Sequence, residues 1–328
     1  MTERTVVAIG CSTTKDYAFL LPLTCLLWRH VGYLPLALLV GTEAEWRKDS
    51  QLSIILDALY HSDLAVEFLG RIDGYQEHTL AQNCRQHAAA LESVTLKRFS
   101  DNWRVELFLM DDTWIMPADA DLWPLRREYY HQHEGTQHKA VFYYANGDHF
   151  QGKDITLARA GQGLGTQTIP SCHVAMRAKD WRVLYDVIAG DVAGSVKKSL
   201  DAWLPSRAVY QGRDLNMTLW MSDQQLMTEA LCQQNWFPFG APPSGMGPQV
   251  AGALLFVNRY GHPPTDRLDR SVTPWPEIFD ATKWTDAHVF RQPWIEEHWR
   301  ELHKIVKALL PEQDNWALAY RDAYLGAA

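Results

Sequence analysis

The sequence predicts an α/β protein: a mainly parallel central sheet flanked by helices, with a less regular C-terminal elaboration. Three observations predict it. Apolar runs and helically spaced segments alternate over residues 1–125, the pattern of successive βαβ units. The runs are short and bounded by small or polar residues, as buried strands are. The chain, 328 residues with 47% apolar and 21% charged side chains, has an ordinary globular balance and enough length for a sizeable core.

The elements follow in order. TVVAIGCSTT (5–14) is a buried strand entering a loop of small polar residues. KDYAFLLPLTCLLWRHVGY (15–33) has helical spacing, with Tyr17, Leu20, Leu21, Leu27 and Trp28 as core contacts. LPLALLVG (34–41) is a second strand, QLSIILDALYH (51–61) a helix and LAVEFLG (64–70) a third strand. HTLAQNCRQHAAALESV (78–94) reads as one helix starting near a Thr cap, and DTWIMPADA (112–120) as a further strand. Beyond it, KAVFYYANG (139–147) and TIPSCHVAMR (168–177) read as strands. AKDWRVLYDVIAG (178–190), MSDQQLMTEALCQQN (221–235, capped by Ser222) and WIEEHWRELHKIVKALL (294–310) read as helices. Two segments rich in Gly and Pro, 158–168 and 237–250, read as loops able to close over a ligand. With no repeat, low-complexity tract or clean linker, the expectation is one domain over 1–328, with a regular first half (1–125) and a less regular second half carrying the C-terminal helix (126–328).

Composition narrows the classes. A net charge of −8 argues against bulk attraction to nucleic acid or anionic membrane. The longest apolar run, Ala18–Trp28, contains Pro22 and is too short for a transmembrane segment. Five widely spaced Cys without a CxxC, and no secretory signal, point to a cytoplasmic protein with reduced thiols. Fourteen Trp serve mostly as core, while exposed ones are suited to stacking on sugars or bases.

The residues that carry chemistry lie in IMPADADLWPL (115–125). Asp119 and Asp121 close an apolar strand late in a βα series, and ligands collect at the carboxyl ends of such strands. Hard divalent cations take oxygen ligands, often one or two carboxylates plus substrate phosphates. Both Asp can face a metal, or one can hold the metal and the other a ribose hydroxyl.

Strand, Asp-Ala-Asp, then an apolar-Trp-Pro segment resembles the metal-binding motif of GT-A-type glycosyltransferases, which use nucleotide-diphosphate sugars. The resemblance extends over most of residues 5–300, with Asp-Ala-Asp its sharp part, and it implies a nucleotide-binding half over 1–125 and a donor-sugar and acceptor half over 126–328. It implies a GT-A-like, Rossmann-like sheet and transfer of a sugar, from a UDP-sugar first of all, to an acceptor hydroxyl on a glycan, glycolipid, protein or modified DNA base. It implies donor contacts from Cys11, Ser12 and Tyr17 in the opening β-α-β, from Gln82 and Arg85 (with Thr79) on the following helix, and from Asp119. SCHVAMRAKDWRVLYD, with Arg177, is similar to the strand-turn-helix carrying sugar-donor or acceptor contacts. WMSDQQLMTEAL is similar to the segment where an acidic residue, here Asp223, faces the acceptor.

The resemblance also implies a downstream His as third metal ligand beside Asp119 and Asp121. His288 in DAHVFRQPW, before Pro293-Trp294, is preferred over His262 in RYGHPPTDRLDRS. Arg259, Arg267 and Arg270 offer planar forks for a diphosphate. The cofactor expected is Mn²⁺ or Mg²⁺, a Lewis acid for the leaving diphosphate. If the anomeric centre inverts, Asp223 is the candidate base; if it is retained, Asp223 binds donor hydroxyls.

Three rivals share parts of this pattern. A haloacid-dehalogenase-like phosphatase also uses Asp-x-Asp with Mg²⁺, but its nucleophile follows the first strand, where this chain has Cys11-Ser12. A nucleotidyltransferase would show a Gly-rich basic signature there, and GCSTTK offers only Lys15. A non-catalytic carbohydrate- or nucleotide-binding protein would leave the acidic pair without a purpose. GQGLG is neither a Walker A nor a dinucleotide fingerprint.

Overall fold

The computed structural model describes residues 4–62, 64–97, 104–143, 171–208, 222–234, 236, 249–251, 253–257, 266–271 and 275–328. The chain opens with β1 (Thr5–Cys11), α1 (Lys15–Val31), β2 (Leu34–Val40), α2 (Glu43–Lys48), α3 (Ser50–His61) and β3 (Ala65–Leu69). It continues with α4 (Glu77–Cys84), a 3-10 segment over Arg85–Ala90, β4 (Ser93–Lys97), β5 (Arg104–Phe108), β6 (Trp114–Ala118), β7 (Leu122–Pro124) and β8 (Ala140–Phe142). Next come β9 (Val174–Arg177), α5 (Ala178–Tyr185), α6 (Val192–Ala208), α7 (Ser222–Gln233), β10 (Gln249–Ala251) and β11 (Leu254–Phe256). The last elements are β12 (Arg267–Asp269), β13 (Asp286–His288), α8 (Glu296–Leu309) and α9 (Asp314–Gly326).

Among the described residues one large sheet runs β10-β11-β8-β9-β6-β1-β2-β3-β4-β5. Its centre, β6-β1-β2-β3, is parallel, as the βα alternation predicts, while β4, β5 and β9 pair antiparallel on either side. The pleat sends successive side chains to opposite faces. Val7, Ile9 and Cys11 enter one apolar layer with Phe19, Trp28 and the C-terminal Tyr320 and Tyr324. Val6 and Ala8 enter the other, with Leu80, Trp181 and Met227. Both faces are covered, so these strands are continuously apolar. Phe19 stacks on Tyr320 at 4.8 Å, tying α9 to α1.

A second sheet, β12-β13-β7, positions the site. β7 leaves the large sheet directly after β6 and pairs antiparallel with β13, setting His288 opposite Leu122. β12 lies parallel to β13 and sets Asp269 opposite His288. Three short strands thus bring residues from 122, 269 and 288 to the end of β6.

Several sequence expectations are corrected. The helix expected over 78–94 ends at Cys84, tightens to a 3-10 segment over Arg85–Ala90, and gives way to β4, whose Val94 and Thr95 favour strand. The strand expected over 168–177 starts at Val174 after a turn from Ser171, and that over 139–147 is seen as Ala140–Phe142. The helix expected over 178–190 stops at Tyr185, where Asp186 adopts a left-handed cap. Among the described elements β5, β7, β11, β12, β13, α2, α6 and α9 carry no sequence expectation. The loop 158–168, most of 237–250, and His262 lie outside the described residues. No helix among the described residues is long and apolar enough to cross a membrane.

Candidate active site

β6 is buried at every position, and the chain turns over at its end, with Leu122 N donating to Asp119 O at 3.3 Å. Thr24 of α1 pins that turn. Its hydroxyl lies 2.5 Å from Ala120 O and accepts from the Trp123 indole N–H at 2.8 Å. Ala120 is therefore held on the core side, and the flanking carboxylates of Asp119 and Asp121 line a cleft of about 530 Å³.

Each carboxylate has a cationic partner. Arg85 reaches Asp119 with Nη1 and Asp223 Oδ2 with Nη2, the latter at 2.7 Å. Asp223 Oδ2 also accepts from Ser171 Oγ at 2.6 Å, and its Oδ1 from Gln224 N at 2.8 Å. On the other side, Arg270 Nη1 donates to Asp121 Oδ2 at 2.8 Å. His288 Nε2 stands 3.4 Å from the same oxygen, and its Nδ1 donates to Asp269 Oδ2 at 3.0 Å. Burial by itself would raise the Asp121 carboxyl, but the His288 bond and the charges of His288 and Arg270 outweigh it and hold the pKa at about 2. Burial likewise opposes protonation of His288, and the Asp121 and Asp269 carboxylates overcome it, so the imidazole pKa is raised.

The rest of the cleft comes from the end of β1 and the starts of α1 and α4. Gly10 is required there: a Cβ would lie 1.8 Å from Ala81 O. That contact lets α4 lie close against β1 and brings Gln82 and Arg85 to the cleft beside Cys11, Ser12 and Tyr17. Burial raises the Cys11 thiol pKa and the thiol donates to Ser12 O at 3.3 Å, so it is a packed neutral group and no nucleophile. Arg291 bonds the Tyr17 hydroxyl and lies over its ring, 4.9 Å from the centroid. Burial and Asp121 raise the Tyr17 phenol pKa. Among the described residues Arg291 pairs with no carboxylate.

Of the residues singled out from sequence, Cys11, Ser12, Tyr17, Gln82, Arg85, Asp119, Asp121, Asp223, Arg270 and His288 share this cleft. Two do not line it. Arg267 is 1% exposed and locked in a two-pronged pair with Asp286, at 2.5 and 2.7 Å, because the fully buried Asp286 opposite it on β13 needs a counter-charge. Arg177 donates to Thr136 O at 2.9 Å and lies over the Trp114 ring at 4.3 Å. Neither is placed to hold a diphosphate in this cleft. The structure adds Arg291, Gln224 and His78 to the lining, and Asp269 behind His288. Arg291 had a signal, three residues after His288 in HVFRQPW; Asp269 had none.

The donors suit a divalent cation in kind: two carboxylates and one imidazole whose far nitrogen is held by a carboxylate, which fixes Nε2 toward Asp121. They are not yet gathered. Among the described residues no three His, Cys, Asp or Glu side chains converge as metal ligands. Asp119 is turned to Arg85, and Asp121 to Arg270.

No protein-family model matches the chain, and no curated protein matches it. Among solved structures, it is similar to the galactosyltransferase LgtC in complex with donor and acceptor sugar analogs, with a TM-score of 0.42 at 10% identity over 92% of this chain and 95% of that one. It is also similar to the apo-form glycosyltransferase GlyE of Streptococcus pneumoniae TIGR4, with a TM-score of 0.31 at 13% identity over 68% of this chain and 44% of that one. These are distant likenesses.

Proposed function

We propose that the cleft binds a nucleotide-diphosphate sugar with a divalent cation and transfers the sugar to an acceptor hydroxyl. The observation that carries this reading is the meeting, at one strand end, of the Asp119/Asp121 turn with His288, Arg270 and Arg291. The cationic side chains suit a diphosphate, and the carboxylates suit the cation that neutralises it. In this reading the nucleoside would rest against Cys11 and Ser12, which line the cleft at the end of β1. A bound Mn²⁺ or Mg²⁺ would supply Lewis-acid stabilisation of the leaving diphosphate. Asp119, Asp121 and His288 would hold it, once Asp119 turns from Arg85.

Asp223 fits substrate orientation better than proton abstraction. Three donors already sit on its two oxygens, and it is 3% exposed. With Arg85 and Gln224 it forms a fixed polar wall suited to sugar hydroxyls. This favours the donor-binding role over that of base.

The test is thermal stabilisation and slow donor hydrolysis with Mn²⁺ and a panel of nucleotide sugars, UDP-sugars first. Nucleotide plus metal at 100 times Kd should stabilise the fold by about 2.7 kcal/mol. Turnover of a generic aryl phosphate, with no nucleotide-dependent stabilisation, would indicate a phosphatase instead.

A further inference from the structure

The four cationic side chains of the cleft are engaged differently, and the difference bears on how a cation could enter. Arg85 is shared between Asp119 and Asp223. His288 stands between Asp269 and Asp121. Arg291 meets the Tyr17 phenol. Arg270 directs Nη1 to Asp121 Oδ2 at 2.8 Å and uses the same nitrogen on Val289 O. It is also held by its backbone, whose N–H donates to His288 O at 3.0 Å.

Asp121 is 5% exposed. A carboxylate that buried is costly without a counter-charge, and Arg270 supplies one. The same pairing obstructs a metal. A free divalent cation at Asp121 would stand beside a guanidinium that cannot be deprotonated, in a cleft of lowered dielectric where like charges repel strongly. A diphosphate reverses the balance. Its oxygens offer the Arg270 fork and the Arg291 guanidinium better acceptors than a shared carboxylate, and its charge offsets the cation.

Resting on the nucleotide-sugar reading, we propose that Arg270 is a built-in counter-ion on Asp121 that keeps a lone divalent cation out and is drawn off by the diphosphate, so that cation and nucleotide enter together. The device makes the acidic pair depend on substrate for its metal. Linkage makes the effect reciprocal: UDP tightens Mn²⁺ by the factor by which Mn²⁺ tightens UDP.

The experiment follows free Mn²⁺ by electron paramagnetic resonance during titration of the full chain, of Arg270→Gln and of Arg270→Lys, each without nucleotide and with UDP or GDP. Circular dichroism melts check that each variant is folded. The parent should bind Mn²⁺ at least about tenfold more tightly with the nucleotide than without it. Arg270→Gln keeps a donor for Val289 O but loses the charge. It should bind Mn²⁺ alone at least about tenfold more tightly than the parent, and UDP in EDTA more weakly. Arg270→Lys keeps the charge and should still bind Mn²⁺ alone weakly.

Equal Mn²⁺ affinity with and without nucleotide in the parent overturns the proposal whether or not any variant folds. So does an Arg270→Gln that binds Mn²⁺ alone no better than a parent whose ternary complex is intact, and that result leaves the transferase reading standing; the first, by linkage, also removes the cation from the nucleotide site. A parent that takes up neither UDP nor GDP, with or without Mn²⁺, overturns that reading and this inference together.

Discussion

Asp269 and His288 are neighbours across the β12–β13 pairing, and the imidazole Nδ1 donates to the carboxylate Oδ2 at 3.0 Å. The second carboxylate oxygen accepts from Ser271 N at 2.8 Å, so the acid is itself fixed. This sets the imidazole's tautomer and aims Nε2 at Asp121. Losing such a support behind a metal-facing His costs about 10–100-fold in metal affinity. Asp269→Ala should therefore weaken Mn²⁺ binding in the presence of UDP by that factor, whereas Asp269→Asn, which keeps an oxygen acceptor, should lose less. Equal affinity in Asp269→Ala and the parent would remove this role.

Arg85 is a buried cation of the cleft, and its pairing bears on stability. It is 5% exposed and pairs with Asp223, itself 3% exposed. Removing one member of a buried pair leaves the other charge uncompensated, at about 3–5 kcal/mol. Arg85→Met should lower urea-unfolding stability by that order, and Arg85→Met with Asp223→Leu should recover part of it. Additive losses in the double variant would argue against the pairing.

The pH dependence without metal follows from two shifts of opposite sign. The depressed Asp121 pKa contributes stability that is present above 3.8, its ordinary value, and is lost as pH falls toward about 2. The raised His288 pKa contributes stability that is present below 6.5 and is lost as pH rises through the folded-state value. In EDTA, unfolding free energy should therefore fall as pH rises from 6.5 through the alkaline side of that shift, and His288→Gln should flatten this slope. A parent and a variant with identical pH profiles would contradict the shift.

Gly10→Ala would place a methyl 1.8 Å from Ala81 O, so α4 would have to move off β1. Such overpacking costs about 1–3 kcal/mol, and it would displace Gln82 and Arg85 from the cleft. Both the melting temperature and UDP affinity should fall. A variant losing stability alone would separate this packing contact from the site.

The first half of the fold was legible because its strands are covered on both faces: Val6 and Ala8 serve one layer and Val7 and Ile9 the other, giving unbroken apolar runs. The Asp119/Asp121 turn was legible because two acids follow such a run. β7, β12 and β13 were not, since three-residue strands carry no periodicity to read. That is why Arg267 and Arg270 looked equivalent: what separates them is that Arg267 faces Asp286 across the β12–β13 pair, while Arg270 lies just past the strand end, where it reaches Asp121. The run 78–94 misled because its alanines favour helix, whereas the pairing of Val94 with Leu107 imposes strand.

The most direct measurement is calorimetric titration of UDP, with Mn²⁺ and with EDTA, into the parent and into Asp121→Asn. The parent should bind UDP far more tightly with Mn²⁺ than with EDTA, and Asp121→Asn should stay folded and lose the Mn²⁺-dependent part. An Asp121→Asn variant that binds UDP and Mn²⁺ together as tightly as the parent would contradict a cation-bridged diphosphate at this strand end.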